Sequence, residues 1–146
     1  MELSALERRG LIAVFAPLIP LGILMIYLDQ RPPTASITAD TLVVSARVGP
    51  VHRVPLTDVT VLEMTTTMPR PKRRDGGGDF STLKHGRYVV NDTLAWVYVA
   101  SDVGPFLHVT ERDHSDLFIA LPSPQQTEQL YQRLLDAKRQ GQATQQ

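Results

Sequence analysis

The stretch from Gly86 to Gln140 constrains the fold of this chain more than any other. It reads GRYVVNDTLAWVYVASDVGPFLHVTERDHSDLFIALPSPQQTEQLYQRLLDAKRQ. Runs rich in Val, Phe, Tyr and Trp, at Gly86–Val90, Leu94–Ala100, Phe106–Thr110 and Leu117–Leu121, alternate with the turn pairs Asn91-Asp92 and Gly104-Pro105. In Leu94–Val99 the period-2 pattern puts Leu94, Trp96 and Tyr98 on one face and Ala95, Val97 and Val99 on the other. Both faces are apolar, so this strand belongs in the middle of a sheet, with Trp96 in the core. The period then changes. Ser123-Pro124-Gln125-Gln126 supplies an N-cap Ser, a Pro at the first helical position and a Gln at N3, a capping box. Thr127, Leu130, Leu134 and Ala137 follow at helical spacing, widened by Tyr131 and Leu135, and this stripe needs a sheet to cover it. Gly141 reads as the helix stop, with a frayed tail at 141–146.

Strands also precede this stretch. Ala35–Thr38 and Thr41–Val48 are joined at Ala39-Asp40 as a hairpin, and Val51–Val54 and Val59–Thr65 continue the pattern across Pro55 and Asp58. The fold class predicted is mainly β (α+β), with seven or eight short antiparallel strands closed by one C-terminal helix. One core is expected, since 34–140 is the size of one ordinary domain.

Ahead of that domain lies a polar segment at 1–10 and then Leu11–Leu28, 18 residues without a charge or an amide. As a helix this run would reach roughly 27 Å, close to the ~30 Å hydrocarbon core of a bilayer. Its Leu, Ile, Val and Phe residues contribute roughly −3 to −7 kcal/mol of insertion energy, and no charge opposes them. Pro17, Pro20 and Gly22 predict a kink, which membrane helices tolerate. A cleaved signal peptide would have a shorter apolar region and a small-x-small site, whereas Asp29-Gln30-Arg31-Pro32-Pro33 follows here. The reading is a single-pass transmembrane helix at 11–28 and a stiff linker at 29–33. Arg8 and Arg9 before the run against Arg31 after it lean toward an inside N-terminus, and the side of the membrane that carries the domain stays open.

Between Met68 and Lys84 the β pattern lapses into PRPKRRDGGGDFSTL. Arg70, Lys72, Arg73 and Arg74 form a local basic cluster beside three glycines, read as a flexible loop and as the candidate contact with an anionic lipid or an acidic partner. A phosphate-binding P-loop does not fit, because no Gly-Lys-Ser/Thr follows the glycines. Lys plus Arg equals Asp plus Glu at 15 each, so no global attraction to nucleic acid is indicated.

Catalysis finds little support. With no Cys in the chain, thiolate chemistry, disulfides and Cys-ligated zinc are excluded. His52, His85, His108 and His114 are scattered, without an HExxH, and no Gly-x-Ser-x-Gly elbow occurs. The densest polar group, Glu111, Asp113, His114 and Asp116, reads as a solvated turn, with a carboxylate cation site as its functional alternative. No enzyme activity and no cofactor are expected.

The runs GRYVVNDTLAWVYVASDVGPFLHV and IALPSPQQTEQLYQRLL, with Leu42-Val43-Val44 and Val54-Pro55-Leu56-Thr57-Asp58-Val59, resemble the bacterial pleckstrin-homology (PH)-like domains over about Thr34–Lys138. The resemblance implies two orthogonally packed antiparallel sheets forming a barrel that the helix closes, often attached to a membrane segment, and it carries no catalytic residues. Its eukaryotic lipid-binding relatives use basic residues in the first hairpin loop, here Ala39-Asp40, so phosphoinositide recognition is not implied. The expected function is a membrane-anchored PH-like interaction module that binds a protein partner or organises a membrane complex, the alternative being a binding module for a lipid or small hydrophobic ligand at the membrane surface.

Overall fold

The computed structural model describes residues 18–29, 31–47, 49–80 and 83–143; the polar start, the first seven positions of the apolar run and the last three residues lie outside them. Helix α1 spans Leu18–Asp29. A three-stranded antiparallel sheet follows, β1 (Thr34–Thr38), β2 (Thr41–Ser45) and β3 (Val51–Pro55), in sequence order. The expected hairpin turns at Ala39-Asp40, with Ala39 at φ +50°. A 3-10 turn at Leu56–Asp58 leads into the second sheet. Its strands are β4 (Val59–Thr65), β5 (Arg73–Phe80), β6 (Leu83–Val90), β7 (Thr93–Val99), β8 (Phe106–Glu111) and β9 (Asp116–Ala120), in the order β4-β8-β9-β7-β6-β5. Helix α2, Pro124–Ala143, ends the described chain.

Alternation along the strands builds two cores. Leu42, Val44 and Val54 of the small sheet meet Tyr98, Leu107, Val109, Leu117 and Ile119 of the large one, and Leu130 and Leu134 of α2 complete this layer. The opposite face of the large sheet holds Tyr88, Val90, Ala95, Val97, Val99, Phe106, Phe118 and Ala120. Tyr98 thus lies in the first core, with Trp96 half-buried at its margin rather than inside it, and Val97 and Val99 lie in the second, as a central strand requires. The Asn91-Asp92 turn has φ of 49° and 66°, the left-handed pair that a two-residue hairpin matched to strand twist demands.

Crossing the second core is the connector between β4 and β5. These strands occupy opposite edges of the sheet, up to about 24 Å apart at ~4.8 Å per strand. Residues 66–72 reach that distance only when drawn out, at ~3.3 Å per residue, and Pro69 and Pro71 suit extended backbone. Met68 packs on the second core, and the Lys72 N–H donates to the Val89 carbonyl at 2.8 Å. The Thr66 carbonyl lies so near Gly104 that a Cβ there would stand 2.9 Å from it.

Several expectations change. There are nine strands, in two sheets that do not close into a barrel among the described residues, and β7 pairs with β9 in parallel, Val97 opposite Phe118. The flexible loop expected between Met68 and Lys84 contains β5, which pairs with β6 despite its glycines and carries a bulge between Arg74 and Gly76. Gly141 does not stop the last helix, which continues to Ala143. No helix among the described residues is long and apolar enough to cross a membrane; α1 accounts for 12 residues, and positions 11–17 lie outside the description.

Candidate functional site

The densest polar cluster with a cavity beside it is built on β8. Alternation puts His108 and Thr110 on the same face as Phe106, and the register sets Glu63 of β4 directly opposite His108, Phe118 of β9 opposite it on the other side, and Asp116 opposite Thr110. The His108 ring stacks on Phe118, centroids 4.6 Å apart and planes within 6°. Its Nδ1 lies 2.8 Å from Glu63 Oε1 and its Nε2 2.9 Å from Asp116 Oδ1. The Thr110 hydroxyl donates to the same Asp116 oxygen at 2.9 Å.

A carboxylate only accepts, so both ring nitrogens must donate, and His108 is an imidazolium in this geometry. Burial pushes its pKa down, but the hydrogen bonds and charges of Glu63 and Asp116 outweigh that and raise it above the ordinary histidine value. Neither nitrogen is left to act as a base or to bind a metal. A cavity of about 260 Å³ adjoins the cluster, bounded by Thr65 at the end of β4, by Thr67 and Pro69 of the connector and by Asn91.

This arrangement ties stability to pH. Because the folded pKa lies above the unfolded one, the imidazolium's contribution is complete below about 6.5 and is lost as pH rises through the raised value. We expect the melting temperature of the wild type to fall over that interval more steeply than that of His108→Gln, which has nothing to titrate there. Parallel curves from pH 6 to 9 would refute this assignment.

A second histidine joins the two sheets. His52 on β3 sets its Nε2 2.6 Å from Glu111 Oε1 on β8 and stacks on Trp96 with centroids 4.5 Å apart. Trp96 in turn stacks near Tyr98 at 6.2 Å, with the Arg87 guanidinium 5.9 Å from the Trp96 ring centre. The Tyr98 hydroxyl donates to the Pro50 carbonyl at 2.8 Å, and burial pushes its pKa well above the usual phenol range.

The polar group read from the 111–116 turn does not converge. Glu111 serves His52, Asp116 serves His108, and Asp113 accepts from the Ser115 hydroxyl and N–H, which hold its carboxyl below the usual range. Among the described residues no three His, Asp or Glu side chains gather to hold a metal. The partners Glu63 and Glu111 were invisible in the sequence, because each lies on a strand far along the chain from its histidine, whereas Asp116 follows His108 across a single hairpin turn. The one available signal was the alternation of His108 with Phe106 and Thr110.

The four basic residues lie along the end of the connector and the start of β5. Arg70 is exposed, and Lys72 Nζ forms a solvent-exposed ion pair with Asp92 Oδ1 at 2.8 Å. Arg73 and Arg74 occupy register positions opposite Val89 and Tyr88. The larger concavity, about 910 Å³, is an open groove between the first hairpin turn and the end of α2. In it Lys138 donates to the Val59 carbonyl at 2.7 Å and Arg112 to the Thr57 carbonyl at 2.9 Å, so both cations are engaged by backbone. No family model, curated protein or solved structure matches this chain.

Proposed function

We propose that this chain is a single-span, membrane-anchored binding module, PH-like in kind, that holds a protein partner and catalyses nothing. One observation carries the proposal: α1 has no charge or amide from Leu18 to Leu28, and its Ile19, Leu21, Ile23 and Leu24 are each half or more exposed. A helix without a polar face needs an apolar surrounding. The domain does not supply it, since both cores are complete without α1. Together with the uncharged run that begins at Leu11, this supports a bilayer as the surrounding. Two sheets with a terminal helix on one core support the PH-like part, and the open sheet and parallel β7–β9 pair depart from it.

A protein partner is favoured over a hydrophobic ligand because the space between the sheets is filled by Tyr98, Leu107 and Ile119, each fully buried. The basic segment, Arg70, Lys72, Arg73 and Arg74, is kept as the candidate contact with an anionic surface, Lys72 standing in an exposed ion pair with Asp92.

The test is fractionation after gentle lysis. The full chain is expected in the membrane fraction, resistant to salt and released by detergent. Replacing Ile23 and Leu24 by Arg adds roughly 5–7 kcal/mol of insertion cost, enough to cancel the run's gain, and should move most of the protein to the soluble fraction. An uncleaved wild type that is soluble from the start would end this reading.

A further inference from the structure

A short linker joins α1 to the domain, and the register of the strands decides which end of the domain it leaves from. Residues 30–33 reach at most about 14 Å at ~3.5 Å per residue. Pro33, the last of them, is buried, so the chain departs from a fixed point beside Thr34.

Thr34 pairs with Ser45, and Ser45 with Val51. Just before Val51 the Pro50 carbonyl accepts from the Tyr98 hydroxyl, and Gly49 lies so near His85 that a Cβ there would stand 3.0 Å from the ring. His85 and Tyr98 are register partners next to Lys84 and Val99, at one end of the large sheet. From that end β1 runs toward the other. Its far turn, Ala39-Asp40, shares the open groove with Val59, and Val59 pairs with Glu111, next to the Thr110–Asp116–Ala95 row by the β6–β7 turn. The anchor is therefore joined to the Lys84–Val99 end.

That end offers an apolar side chain to its surroundings. The loop at 100–105, held to β6 by the Lys84–Asp102 ion pair at 2.8 Å, carries Val103, which is 79% exposed. Val51 is 44% exposed, and Arg47 on the turn between β2 and β3 is exposed as well. Apolar side chains beside a cation suit the boundary between headgroups and acyl chains of an anionic leaflet.

Arg70, Lys72, Arg73 and Arg74 stand at the opposite end, since Arg73 pairs with Val89 and Lys72 reaches Asp92 of the β6–β7 turn. Residues 84–90, along β6, separate the two ends by roughly 20 Å at ~3.3 Å per residue. With a Debye length of about 8 Å, a leaflet at the first end acts on the second with roughly a tenth of its strength.

Resting on the anchored reading above, we propose that the β2–β3 turn and the 100–105 loop lie on the lipid headgroups, with Val103 inserted among them, and that the basic segment faces away from that leaflet. The anionic surface that the segment meets is then carried by a partner in the aqueous phase.

The experiment uses the full chain, which has no cysteine, with one thiol introduced at a time and labelled with a fluorophore. Val103→Cys, Arg47→Cys and Arg70→Cys each replace an exposed side chain. In vesicles of phosphatidylcholine and phosphatidylserine bearing a nitroxide on the headgroup, the labels at positions 103 and 47 are expected to be quenched several-fold more strongly than the label at position 70. Omitting phosphatidylserine should leave the label at position 70 unchanged. Equal quenching at 103 and 70 in a chain that floats with the vesicles, or quenching at 70 that rises with phosphatidylserine, would overturn the proposal and leave the anchor standing. A chain that does not float with the vesicles would remove the anchor, and the proposal with it.

Discussion

Tyr98→Ala is expected to cost about 3–5 kcal/mol, the range for removing a large buried ring. Tyr98 is wholly buried on β7, one of the strands that contribute to both cores, and its hydroxyl reaches across to the Pro50 carbonyl just before β3. Its loss opens a cavity where three layers meet and leaves a partly buried carbonyl without its donor. A domain of this size usually holds about 5–15 kcal/mol in all, so the variant should stand near the limit of folding. Tyr98→Phe separates the two contributions, keeping the ring and surrendering only the hydrogen bond, for about 0.5–1.5 kcal/mol. Denaturant titration of the full chain in detergent would read both as shifts of midpoint at constant slope. Equal shifts for the two variants would show that the ring contributes little to joining the sheets.

Leu134→Ala should cost about 2–5 kcal/mol. Leu134 and Leu130 are the α2 side chains inserted into the first core, with Ala137 and Tyr131 at its margin. At the helix start, the Ser123 hydroxyl accepts from the Gln126 N–H and the Ser123 N–H donates to Gln126 Oε1, both at 3.3 Å, the reciprocal box that the sequence predicts. Losing that cap by Ser123→Ala should cost about 0.5–2 kcal/mol, because water can replace it, whereas nothing replaces a methyl cluster in a packed core. Thermal melts should therefore rank Leu134→Ala well below Ser123→Ala. Two equally small shifts would mean that α2 is not held by its apolar stripe.

Where local pattern decides structure, the sequence was readable. Eight of the strands and the start of α2 could be placed, because β-branched alternation, turn pairs and the Ser-Pro-Gln-Gln cap act within a few residues. Strand β5 could not. Its run RRDGGGDF has no intrinsic preference for extended structure, and it is a strand because β6 offers it a ladder. The parallel β7–β9 pair escaped for a related reason, since nothing within Ala95–Val99 or Asp116–Ala120 records which strand lies beside it. Gly141 misled because a glycine ends a helix only where the chain must turn left-handed, and here it continues helical to Ala143. The candidate site was legible only as residue types. Glu63, His108 and Asp116 stand on three strands, and sheet order brought them together.

The connector over the second core also bears on the order in which this domain assembles. β4 joins the sheet through β8, with Thr65 opposite Phe106, so in an otherwise unfolded chain that ladder closes a loop of about 40 residues. Once β5 through β9 are in place, the same event closes only residues 66–72. The difference lowers the closure entropy by about 1.5 kcal/mol. That favours β4 as the strand that docks last, swung across the finished face by its own tether, with Met68 sealing the apolar surface as it arrives.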